Sequence, residues 1–126
     1  MKRAFIELRN KELPEKKVLI PIDEIQYVRD TEENGTIIYY SDGITQRKVI
    51  VLDNVEILFS RLIDFRNDFI LLKGVSGKAI LLNINEIHDI IESEVPYVSI
   101  RLKFNTVIGV TETLDMIVKE KDLLII

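Results

Sequence analysis

One stretch of this chain is written twice. VLIPIDEIQYV, Val18 to Val28, returns as ILLNINEIHDI, Ile80 to Ile90, at a constant offset of 62. Ile22 recurs as Ile84, Glu24 as Glu86 and Ile25 as Ile87. Asp23 recurs as its near-isostere Asn85, and Val18, Leu19, Ile20 and Val28 stay aliphatic. A self-match at fixed spacing reads as an internal repeat, and it constrains the fold before any propensity is counted. It constrains the chemistry hardly at all.

Around the repeat the periods are those of strands. Ile6 and Leu8 alternate with Glu7 and Arg9, the pattern of a half-buried strand, and polar Asn10 to Lys17 with Pro14 inside reads as a loop. Val18, Ile20 and Ile22 alternate, and Pro21 denies the ladder a donor, which predicts an edge or terminating strand. Asp23-Glu24 makes a corner before Ile25 to Arg29. Asn34-Gly35 and Asp42-Gly43 predict hairpin turns around Thr36 to Tyr40, and Thr45 to Val51 returns. The period then changes: Val55, Leu58, Phe59, Leu62 and Ile63 form one helical stripe, with Asp53 and Glu56 at capping-box spacing.

The second half replays this order. Phe69 to Leu72 answers Phe5 to Leu8, the loop shrinks to Gly74 to Lys78, and the repeated strand turns at Asn85-Glu86. Pro96 marks a turn, and Val98, Ile100, Leu102 and Phe104 alternate with polar residues. After Val107 to Val110, Thr111 or Glu112 is expected to cap a helix carrying Leu114, Ile117 and Val118. The prediction is an α+β, β-rich fold of two pseudo-symmetric repeats, residues 1–66 and 67–126, each about five short strands and one helix. Units of about 60 residues are marginal alone, so the two are expected to form one compact domain, with both helix stripes in a shared core. An approximate twofold is expected to relate the copies.

Composition narrows function by exclusion. The 126 residues are 47% hydrophobic and 30% charged, as in globular domains, and contain no cysteine for disulfides or thiolate metal sites. A net charge of −4 is a poor basis for holding a phosphate backbone, which needs a concentrated basic surface. No apolar run approaches the roughly 20 residues that span a bilayer, so no membrane partner and a cytoplasmic location are expected.

Two resemblances follow from the motifs. Phe69 to Leu72, Asn83 to Ile87, Val110-Thr111-Glu112 and Leu114 to Ile117 resemble one unit of the FlbD/SwrD-type flagellar and swarming-motility family, with a looser copy in the first half. That resemblance implies a structural pattern without chemistry, and the tandem duplication departs from its single unit. IPIDEIQYV, TIIYYSDG and LDNVEILFSRL resemble, in that order, the first half of a LytTR-type DNA-binding domain. The family continues with a basic F-x-R-x-H-R-S stretch that helps contact DNA. Here Phe69 to Gly77 holds neither histidine nor arginine, which places this resemblance second.

Candidate sites are weighed against plainer readings. His88 is the sole histidine and stands where the first copy has Gln26, so a polar strand face suits it better than a triad or metal site. Gly74-Val75-Ser76-Gly77-Lys78 lacks the spacing and following helix of a P-loop, and reads as a hairpin turn. Asp23-Glu24, Asp53 with Glu56, and Glu112 with Asp115 sit at turns or helix starts, where capping explains them. Asn34-Gly35-Thr36 reads as a turn, not as a glycosylation site.

No catalytic, cofactor or metal residue is assigned, and no cofactor is implied. The first expectation is a non-enzymatic adaptor working through protein contacts or self-association, with nucleic acid disfavoured. Its interaction candidates are Tyr39 or Tyr40, whichever faces outward, and the apolar tail Leu123, Leu124, Ile125 and Ile126. That tail is expected to be covered, as an added core strand or across a subunit interface. One alternative is a LytTR-like nucleic-acid binder, which should gather Arg47, Lys48, Lys73, Lys78, Arg101 and Lys103 on one face. Another is a small ligand held between the repeats.

Overall fold

A computed structural model describes residues 3–31, 35–94 and 97–126. Asn34, with the turn and sequon expected there, and Pro96 lie outside the described residues. Three antiparallel sheets are stacked as layers. β1 (Phe5–Arg9) and β2 (Lys17–Pro21) form the first. The central sheet holds β3 (Ile25–Asp30), β4 (Thr36–Ser41), β5 (Gln46–Val51), β6 (Phe69–Lys73) and β7 (Ala79–Asn83), in the order β5-β4-β3-β7-β6. β8 (Ile87–Glu92), β9 (Val98–Leu102) and β10 (Val107–Val110) form the third, with β9 in the middle. Helix α1 (Val55–Ile63) follows β5 and helix α2 (Leu114–Lys121) follows β10. The chain is thus β-rich α+β, as its periods predict.

The central sheet explains the long apolar runs. In β7, Leu81 pairs with Val28 and Leu82 with Tyr27, so neighbouring side chains point to opposite faces. Leu81 and Leu82 are both fully buried, because each face has a cover. On one face Val28, Ile38 and Leu81 pack against Ile6, Leu8 and Ile20 of the first sheet and Val55, Leu58 and Leu62 of α1. On the other, Tyr27, Ile70 and Leu82 pack against Ile100, Leu102 and Ile108 of the third sheet and Ile117 of α2. A strand buried on both faces reads as a continuous hydrophobic run rather than an alternation. The shared-core expectation is corrected here: the two helix stripes lie in separate cores, on opposite sides of the central sheet.

The repeated stretches build matching local structure. A 3-10 turn, Ile22–Glu24, carries the chain from β2 to β3, and another, Ile84–Glu86, from β7 to β8. Each is a corner between layers, and each is followed by a β-bulge, at Ile25/Tyr27 and at Ile87/Asp89, again 62 residues apart. The pairing, however, does not show a twofold. β7 pairs with both β3 and β6, whereas β2 pairs with β1 alone.

Caps and ends differ in detail from expectation. Asn54, not Asp53, caps α1, its Oδ1 accepting from Ile57 N at 2.8 Å; Asp53 instead pairs with Arg61 at 3.1 Å. Thr113 caps α2 through Met116 N at 3.2 Å. Helix α2 closes on Asp122 at φ 50°, whose turn folds Leu123 back so that its amide donates to Val118 O. Leu123 packs partly on the second core. Leu124, Ile125 and Ile126 are exposed, at 87%, 69% and 114%. They add no strand to the core.

Candidate nucleic-acid interface

The six cations expected on one face are not brought together: five are divided between the two ends of the central sheet, and Arg101 stands apart on the third. Lys73 and Lys78 flank the β6–β7 hairpin, while Arg47 and Lys48 lie on β5, the opposite edge strand. Lys103 leaves β9 toward the β4–β5 end, and Arg101 projects from the outer face of the third sheet, bound to Asp89.

The hairpin tip is rigid but not basic. Gly74 bridges to Val110, Val75 N donates to Gly109 O at 3.1 Å, and Thr111 N donates to Lys73 O at 2.9 Å. The Lys73 amide donates to both Glu112 carboxylate oxygens, at 3.0 and 2.9 Å. Glu56 lines the same shallow groove as Lys73 and Glu112. Asp30 is near Lys78; burial, then the charge of Glu56, raises its pKa, with Lys78 opposing. Two cations therefore face three carboxylates, and such a surface repels phosphate.

The other end carries the positive excess. Arg47 and Lys48 are exposed and form no ion pair among the described residues; Arg47 helps to hold the Asp42 carboxylate ionised. The Asp42 pKa is lowered chiefly because the Thr45 and Ile44 amides donate to it. Lys103 reaches Glu86 at 3.5 Å with 56% of its side chain exposed, a geometry in which an ion pair is weak and exchangeable. Beneath it runs a polar relay: Gln46 Nε2 donates to Gln26 Oε1 at 2.8 Å, and Gln26 Nε2 to Glu86 Oε1 at 3.0 Å. Gln26 is buried, and both ends of its amide are satisfied. It joins β5, β3 and the corner into the third layer.

Ser41, Gly43, Glu86, Lys103 and Phe104 line a pocket of about 370 Å³ over this relay. Its walls come from both halves of the chain. The β9–β10 turn that forms one wall holds Phe104 at φ 65° and Asn105 at φ 60°. The alternation in the sequence runs on to Phe104, but β9 ends at Leu102, and Phe104 is 43% exposed in the turn. A signal for it lay in the repeat, since the offset of 62 carries the Asp42-Gly43 turn onto Phe104-Asn105.

The remaining candidates are engaged in structure. Tyr39 stacks on Tyr27 with ring centroids 4.3 Å apart, and its hydroxyl accepts from Arg29. Burial, then the charge and hydrogen bond of Tyr39, pushes the Tyr27 hydroxyl well above its ordinary pKa. Tyr40 packs on the first core. Both tyrosines are half-buried, beside the exposed Lys48 and Arg47 of β5. His88 lies in the open, 4.0 Å from Asp89. Asp23 and Glu24 pair with Arg66 and Arg3. Among the described residues no group of three or more His, Asp or Glu is arranged to hold a metal ion. Among them, too, no helix is long and apolar enough to cross a membrane. A groove of about 520 Å³ lies between β6 and α2, within the second half rather than between the halves.

No family model and no curated protein matches this sequence. A solved structure does match: a LytTr DNA-binding domain from Bacillus cereus, with a TM-score of 0.67 and 10% sequence identity. The match covers 98% of this chain and 100% of that one. The fold is thus that of the second resemblance, and the FlbD/SwrD-type resemblance is left without support. The finding also corrects two expectations. A protein–protein adaptor is not what the architecture points to, and nucleic acid cannot be ranked as disfavoured on net charge alone. Net charge averages over ends whose local balances have opposite sign. This chain shares its fold, end to end, with a domain described as DNA-binding.

Proposed function

We propose that this chain is a non-enzymatic nucleic-acid-binding domain of LytTR-like fold, working in the cytoplasm. The observation that carries the proposal is the fold likeness along the whole chain. Fold alone does not carry function, so the site must be argued from its charges. Local charge balance favours the β4–β5 end, where Arg47, Lys48 and Lys103 outnumber Asp42 and Glu86. The family's contact stretch falls instead on the β6–β7 hairpin, where Glu112 holds the Lys73 backbone amide and Asp30 and Glu56 add negative charge. The two copies, residues 1–66 and 67–126, are in this proposal one duplicated unit, with each corner and bulge repeated at the offset of 62.

Three cations set the expected salt response. Each phosphate neutralised contributes about −0.9 to the slope of log affinity against log salt, so a slope of about −2 to −3 is expected on duplex DNA. Fluorescence anisotropy across a salt series measures it. A slope near zero, or no binding at low salt, contradicts the proposal.

A further inference from the structure

We infer that Phe104 stacks on an unpaired nucleobase in the pocket beside the β4–β5 turn, giving the site a preference for single-stranded over duplex nucleic acid. The inference rests on the nucleic-acid reading and names the contact within it. The β9–β10 turn runs through Lys103–Asn105, closed by the Leu102 amide on Thr106 O, and places two adjacent residues at positive φ. Asn105 is a residue type that tolerates the left-handed region; a phenylalanine there is strained. At the corresponding place 62 residues earlier the chain has Asp42-Gly43, with the positive φ on glycine. The strained ring is not compensated by burial, since Phe104 is 43% exposed and belongs to neither core. An unfavourable backbone supporting an exposed aromatic is the kind of outlier that marks a working surface.

The surroundings suit a base. The pocket of about 370 Å³ is lined by Ser41 and Glu86 beside the ring, with Glu86 Oε1 held by Gln26 and Oε2 in the exchangeable pair with Lys103. A nucleobase offers a π face with donors and acceptors on its rim, and Lys103, on the residue before Phe104, is placed for the neighbouring phosphate. Lys48 lies on the face of β5 that carries Gln46 and pairs with Tyr39, toward the third layer, while Arg47 lies on the other face with Tyr40. Stacking on aromatics beside a cationic groove is how single strands are held without sequence preference. In a duplex the same base face is covered by its neighbours.

The test uses the full chain with a fluorescent mixed-sequence oligonucleotide, single-stranded and as a duplex. Wild type should bind the single strand more tightly. Phe104→Leu keeps the backbone strain but loses the ring, and should weaken single-strand binding about tenfold, within the range one stacked base supplies. Phe104→Trp should retain binding. Phe104→Gly should show the same loss as leucine, yet melt at or above the wild-type temperature, because glycine relieves the strain. The inference is overturned if the leucine and glycine variants bind as wild type does, or if wild type binds both forms equally. It is also overturned if Phe104→Gly melts lower, which would make the ring a packing element. Failure of wild type to bind either form removes the nucleic-acid reading itself, and this contact with it.

Discussion

Asn83 sits where the ladder between β3 and β7 stops. Its side-chain amide donates to Ile25 O at 2.9 Å, and its Oδ1 accepts from Asn85 N at 3.0 Å. It is 4% exposed, so Asn83→Ala strands both backbone partners, and a loss of about 2–3 kcal/mol is expected in a denaturant titration. Asp30 predicts the opposite sign. Its folded-state pKa is raised, chiefly by burial, so the charged form is disfavoured by folding at neutral pH. Asp30→Asn should raise the melting temperature at pH 7, and the gain should disappear as pH falls below the ordinary carboxylate range, where both proteins are neutral at this site. His88→Ala should leave stability within about 0.5 kcal/mol, since its exposed ring makes one distant contact to Asp89. His88 was legible as a polar strand position, whereas Asn83 was not legible as a buried one. The first copy has Pro21 there, and the difference in burial comes from sheet order, which no local pattern encodes.

The kind and order of most elements were readable because the periods are clean, although the alternation overran the end of β9 to Phe104. The stripe from Val55 to Leu62 gives α1, and the alternation in Val98, Ile100 and Leu102 gives β9. Helix caps were placed near the right position but assigned to neighbours, as at Asn54 and Thr113, because several adjacent residues can accept from the same orphan amides. What the periods could not supply was the side of the central sheet on which each helix lies. Leu58 of α1 and Ile117 of α2 show the same periodicity yet sit in different cores. Because the cores are separate, Leu58→Ala and Ile117→Ala should each cost about 2–5 kcal/mol. The double variant should cost nearly their sum, measured by denaturant titration, since the two sites share no packing partner. A large coupling energy would restore the single shared core.

At the scale of the molecule, charge is sorted rather than scarce. The β6–β7 end sets Lys73 and Lys78 among Asp30, Glu56 and Glu112, while the β4–β5 end leaves Arg47 and Lys48 without an ion pair among the described residues, near an exchangeable Lys103. The net charge of −4 hid this division, and sequence spacing could not reveal it, because the β4–β5 turn and Lys103 meet only through the layering of three sheets. Duplex binding by paired charge-reversal variants tests the central claim most directly, with anisotropy read at low and moderate salt. Arg47→Glu with Lys48→Glu should lower affinity by tenfold or more and flatten the salt slope by about 2. Lys73→Glu with Lys78→Glu should leave both nearly unchanged. Equal losses from the two pairs, or a loss confined to the β6–β7 pair, would contradict the assignment of the binding face.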